Sequence, residues 1–273
     1  LLGLLSLAVK AGLYVGALGS TGLALHTLLL GTSHRRWIIG LALVLAMAVT
    51  GRLLLLNAEL TGGLQHSFDF SMFDWVWAPN RMQVLTYIVG ASLLALSAIF
   101  DLRILLAVGV ASVFAGAGLG GHTHGLEAPG INPFLVSVHV AIAAFWATAP
   151  FVLWPQKKVS DAVLLNRMER FSRVAVWCIP VLFVSGLWLA WRLSGSLEAL
   201  IGETYGQLLL LKLLLACCAL AIGAFNKLRV TELLRDRTDK GRERLRTTLA
   251  LDYMLFSAIV FVIAAATTLT GPG

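Results

Sequence analysis

The sequence predicts an all-α integral membrane protein, a bundle of about eight transmembrane helices with the N-terminus and C-terminus outside. Three observations carry this. The 273 residues are 58% hydrophobic and only 13% charged, whereas soluble domains carry about 25% charged residues. Apolar stretches recur at the length of roughly 20 residues that a bilayer core demands. Lysine and arginine gather in alternate connections. The whole chain, 1–273, reads as a single polytopic membrane domain, because no polar region is long enough for a separate soluble one. The formal net charge of +7 sits in those connections, so it reads as topology and not as nucleic-acid binding.

In chain order the predicted spans are 9–31, 37–60, 82–100, 104–120, 133–154, 171–193, 206–226 and 247–270. Lipid leaves backbone groups no partner outside the segment, so each span is expected to be a helix. Residues Leu1 to Val9 read as the extended start of the first one. Four connections, Gly31–Arg36, Asp101–Arg103, Pro155–Arg170 and Lys227–Arg246, hold at or beside them 16 of the 21 basic residues. Basic connections stay cytoplasmic, which sends 61–81, 121–132 and 194–205 outside. Trp37, Trp154 and Trp177 fall near the inner interface. Trp75, Trp77, Trp188 and Trp191 fall near the outer one. Trp146 alone is expected mid-membrane. Two matches, Thr86-Tyr87 and Thr204-Tyr205, are too few to make an internal repeat.

The outer half carries the polar groups that invite chemistry. Connection 121–132 contains Gly121-His122-Thr123-His124-Gly125, a His-x-His pair between glycines that suits a metal. His139 lies six residues into the fifth span, about 9 Å below its start. An ionisable side chain at that depth faces the bundle interior, and neutral imidazole is the commonest metal ligand. His66, Asp69, Met72, Asp74 and Met82 lie in or beside the other polar connection. Imidazole and thioether favour copper over magnesium or calcium. Arg52 and Glu59 share a face of the second span, with Lys212 at similar depth in the seventh, and are expected to form an ion-pair network or a substrate path. Asp252 is expected to pair with the basic connection before it. His34 reads as solvated, and Cys178, Cys217 and Cys218 as small buried apolar residues.

Three stretches resemble the copper-resistance D (CopD) family of bacterial inner-membrane proteins. The first is Gly121-His122 followed by His139 with Trp146 seven positions on. The second is Arg170-Phe171-Ser172-Arg173 with Ser185-Gly186-Leu187 later in the same span. The third is Thr204-Tyr205-Gly206-Gln207-Leu208-Leu209-Leu210-Leu211-Lys212 with Asn226. Residues 120–230 carry the likeness. Where the family often has Trp-x-Gly-Gly, this chain has Trp146-Ala147-Thr148-Ala149.

The resemblance implies copper handling, with His122 and His139 as ligands and a separate periplasmic copper-binding protein of the CopC type as partner. His124, His66 and Met72 are added from composition and topology. The expected function is copper import across the bacterial inner (cytoplasmic) membrane through an outer His/Met site, with copper ion bound and the lipid bilayer around it. Two alternatives are a b-type cytochrome holding haem b on His139 with His122 or His124, and a copper-binding sensor or assembly factor. No hydrolase motif is present.

Overall fold

The computed structural model describes residues 1–120 and 130–269, and the regular structure among them is entirely helical. Helices α1 (Leu2–Leu30) and α2 (Arg35–Thr61) form a hairpin. Gly31 closes α1 at φ 68°, returning its N–H to the Thr27 carbonyl, a left-handed end that glycine adopts without a Cβ clash. Short 3₁₀ turns, Leu64–His66 and Phe70–Met72, lead into α3 (Phe73–Phe100), and α4 (Arg103–Gly118) follows. Asp101 makes that turn at φ 59°, and its carboxylate receives Arg35 at 2.5 Å.

Helix α5 (Asn132–Ala147) is continued by the single turn α6 (Ala149–Val152), and the ladder is interrupted at Thr148. Pro150 causes the break. It has no N–H to return to the Trp146 carbonyl, and its ring crowds that group. Helix α7 (Asp161–Ser194) is followed by α8 (Leu197–Gly202), whose first turn is capped by the Ser196 hydroxyl accepting from the Ala199 N–H at 3.0 Å. Then come α9 (Thr204–Phe225), a π-helical turn (Asn226–Val230), α10 (Thr231–Asp236) and α11 (Thr238–Leu269).

Helix α1 is the hub, packing on α2, α5, α11 and α4. Its buried positions include Gly16, Ala17, Ser20, Thr21, Gly22 and Ala24. Apolar side chains gain little by leaving lipid for one another, so spanning helices associate through close approach at small residues. A Cβ on Gly16 would stand 2.6 Å from the Leu45 nitrogen of α2, and one on Gly22 would stand 2.3 Å from the Ala144 oxygen of α5. The Ser20 and Thr21 hydroxyls donate back to the Gly16 and Ala17 carbonyls at 2.6 and 2.5 Å, so neither is buried unsatisfied. The outward faces are apolar and open: Ile104 is 80% exposed, Trp177 79% and Val184 68%. Lipid is the environment that accepts them. The chain is a multi-pass membrane protein.

The two ends of the bundle differ. One is basic: Arg242 bonds the Asp161 carboxylate at 2.6 Å, Arg235 pairs with Glu169, and Arg170 donates to the last carbonyls of α1, Leu29 and Leu30, at 2.7 and 3.2 Å. At the far end, Asn57 holds the Ser67 and Asp69 carbonyls at 3.1 and 2.8 Å, and Lys10 donates to the Thr267 carbonyl. The start of α1 and the end of α11 therefore lie together.

The structure departs from the predicted spans in extent. Among the described residues seven helices are long and apolar enough to cross a membrane, while α4 has 16 residues and falls short. The third, sixth and eighth predicted spans begin earlier, at Phe73, Asp161 and Thr238. Most of the connection 227–246 is helical. A hydropathy reading registers only the stretch in lipid, and charged turns continue the same helix into water.

Several side-chain expectations also change. Arg52 reaches the Gln83 amide oxygen at 3.4 Å, and Glu59 accepts from Ser6 at 3.2 Å. The ion pairs among the described residues do not join Arg52 to Glu59. Asp252 does not pair with the basic segment, because Arg242 and Arg246 turn instead to Asp161 and to the Pro155 carbonyl. His34 is half-buried edge-on against Phe151, and its burial holds its pKa below the ordinary value. Cys217 and Cys218 face outward, away from any interior path.

Gly16→Leu is expected to separate α1 from α2 and to lower stability by about 1–3 kcal/mol, the usual range for overpacking. Thermal unfolding in detergent reads this directly. Gly40→Leu is the control, since a Cβ there meets open space, and it should leave the midpoint in place.

Candidate metal site at His139

His139 sits on α5 and faces α7. Its Nδ1 lies 3.1 Å from the Ser185 hydroxyl. That hydroxyl donates to the Leu182 carbonyl at 3.1 Å, so its proton is committed and its oxygen is left to accept. With the hydroxyl so engaged, Nδ1 is the nitrogen that carries the proton and donates to it. Nε2 is left with its lone pair, the form in which imidazole binds a metal. Gly186 makes the fit possible, because a Cβ there would stand 3.0 Å from the His139 Cε1. Nearer the start of α5, Asn132 accepts from the Trp188 indole N–H at 3.0 Å. The Ser185-Gly186 pair was visible as a motif, but its service to His139 was not.

The end of α4 lies close by. A Cβ on Gly118 would meet the Pro133 carbonyl at 2.3 Å and the Ser137 hydroxyl at 2.6 Å, and the Gln83 amide of α3 donates to the Gly116 carbonyl at 3.2 Å. The chain therefore leaves α4 beside the first turn of α5. His122 and His124 lie outside the described residues.

The other candidates stand apart from His139. His66 is exposed on its 3₁₀ turn, where its carbonyl accepts from Thr61 at 3.1 Å and from the Asp69 N–H at 2.9 Å. Met72 is exposed at the start of α3. Asp69 caps the second 3₁₀ turn by accepting from the Ser71 N–H at 3.0 Å, which holds its carboxyl below the usual range. These groups belong to the connection between α2 and α3, whereas His139 is held in the α5–α7 seam. Among the described residues no three His, Cys, Asp or Glu side chains cluster as metal ligands.

A second imidazole, this one buried, lies lower in the same region. His26 of α1 is fully buried, with Nε2 2.9 Å from the Phe145 carbonyl and its ring stacked on Phe145 at 4.4 Å and on Phe171 at 5.9 Å. Nε2–H donates, and Nδ1 is buried without a partner. Trp146, the expected mid-membrane tryptophan, is 8% exposed and meets Phe256 edge-on at 5.6 Å.

No curated protein and no solved structure matches this chain. Residues 165–266 match the family model described as copper resistance protein D (CopD). The match covers the Arg170-Phe171, Ser185-Gly186, Thr204–Lys212 and Asn226 stretches, begins after His139 and runs on through Asp252. The resemblance read from the sequence thus holds over α7 to α11: this multi-pass membrane chain is similar to copper resistance protein D.

Proposed function

We propose that the chain carries copper inward across the bacterial inner membrane, taking it from the far, periplasmic end. The observation that supports this most is His139, an imidazole on a membrane-spanning helix with Nδ1 3.1 Å from the Ser185 hydroxyl; with the proton on Nδ1, Nε2 would be the atom offered to a soft metal. Copper is the substrate here, and nitrogen and sulfur donors prefer it to the hard cations. The segment carrying His122 and His124 leaves α4 beside α5, so both are proposed as further ligands. His66 and Met72 are proposed as outlying groups that meet copper before it reaches the seam. A periplasmic protein of the CopC type would deliver at this end.

Detergent-purified protein is expected to hold near-stoichiometric copper by elemental analysis, and His139→Ala to lose it, with cellular copper accumulation falling in parallel. Unchanged copper in the variant would remove His139 from the site. Near-stoichiometric iron with a Soret band would replace this reading by the b-type cytochrome. Copper bound without flux into liposomes would make the chain a sensor or assembly factor.

Ser185→Ala tests the tautomer argument separately. Without the hydroxyl, the ring loses the partner that fixes Nδ1–H, and second-shell losses of this kind cost about 10–100-fold in metal affinity. A competitive copper titration should show a loss in that range, with copper still bound.

A further inference from the structure

Two buried side chains toward the basic end have an oxygen without a partner and belong to neither imidazole site. Asp252 of α11 is 5% exposed, and Asn226, which opens the π-helical turn, is 8% exposed. The Oδ1 atom of each is buried and accepts no hydrogen bond. The packing sets them at one level. Val230 clusters with Leu245 and Leu249, while Ala219 clusters with Leu255 and Phe256. Asn226 lies between Ala219 and Val230, and Asp252 lies between Leu249 and Leu255. Both therefore occupy the same stretch of the α9–α11 seam. The wide turn at Asn226 marks the place, since π-helical turns recur at functional sites.

Among the described residues no ion pair involves Asp252; on α7, Glu169 is paired with Arg235, Arg170 donates to the Leu29 and Leu30 carbonyls, and Arg173 is exposed. On α11, the helix of Asp252, Arg242 is held by Asp161 and by the Gln156 and Val159 carbonyls. Arg246 donates to the Pro155 carbonyl at 3.3 Å, and Arg244 lies over the Phe225 ring at 5.4 Å. On the π-helical turn and α10, Lys227, Arg229, Glu232, Arg235 and Asp236 are exposed. Helix α1 offers His26, which donates to Phe145, and Lys10, which is tied to Thr267 at the far end. Helix α6 has no titratable side chain. Lys212 of α9 is 14 residues from Asn226, about 21 Å along a helix. A bare carboxylate without a counter-charge is strongly disfavoured at such a place.

We infer that Asp252 holds an exchangeable proton and shares it with Asn226. One proton satisfies both orphaned oxygens, because the carboxylic acid becomes a donor and the Asn226 amide oxygen its acceptor. A hard metal cation needs about six oxygen ligands, and copper prefers nitrogen and sulfur. The exchange is simple: the acid releases its proton to water at the basic end, the carboxylate takes one back, and no other bond changes. Asp252 is six residues from Arg246, about 9 Å along α11, which is near enough for exchange on the cytoplasmic side. That this proton drives copper movement rests on the transport reading above. Its presence on Asp252 does not.

Infrared pH titration of the full chain in detergent tests the first part, comparing wild type with Asp252→Asn, a neutral isostere. At neutral pH the wild type should show a carboxylic-acid carbonyl band that the variant lacks. As alkali removes it, an asparagine amide band should shift with the same midpoint in the wild type only. Absence of an Asp252-dependent acid band at neutral pH overturns the inference. An amide spectrum indifferent to that titration overturns the partnership with Asn226. Liposomes with a trapped pH dye test the second part. Copper entry should move protons through the wild type, while Asp252→Asn binds copper equally and moves none. Equal copper and proton flux in both would remove the coupling. Absence of copper from both proteins with the infrared result intact would sink the transport reading and leave the proton in place.

Discussion

The close approach of α1 to its neighbours is the constraint on which the other arrangements depend. In lipid, side chains do not drive helices together by leaving water, so contact must come from surfaces that fit. Gly16 lets α1 lie against the α2 backbone, and Gly22 lets it lie against the α5 carbonyls. Larger residues there would push α5 outward. Because α5 carries His139 and runs into the break at Thr148, the position of both follows from the missing side chain of Gly22 on another helix. The same geometry brings His26 within reach of the Phe145 carbonyl.

Two imidazoles, His26 fully buried and His139 half-buried, show how lipid shapes a polar group. Each places one ring nitrogen at hydrogen-bond distance from an oxygen on a neighbouring helix and keeps the other nitrogen out of that bond. Neither has a carboxylate partner among the described ion pairs. A neutral ring with an available lone pair is what such an interior tolerates, and it is also what a soft cation seeks. Stability and ligand chemistry therefore ask for the same protonation state.

Much of the architecture was legible because the lipid-facing stretches are long and continuous. The start of α7 was not, because Asp161 to Arg170 is helical yet charged, and apolarity is what a hydropathy window measures. His139 was legible as an ionisable residue at depth. Its partner was hidden, since Ser185 is 46 positions away and any serine on a facing helix would have looked the same. His26 could be placed in the inner third of the first span, but its partner could not be read, because the acceptor is a backbone carbonyl, which no residue code records. Asp252 was assigned to the arginines nearest in sequence. The folded helix sends those arginines to Asp161 and to carbonyls, leaving the carboxyl alone. His122 and His124 rest on the sequence only.

Helix α4 has a consequence of a different kind. Its 16 residues reach about 24 Å at 1.5 Å per residue, against a hydrocarbon slab of roughly 30 Å. A span shorter than the slab is met by thinning of the bilayer, by flanking side chains that snorkel to the interface or by association with another chain. A polar group held beside so short a helix sits nearer to water than one buried at the same register of a full-length span.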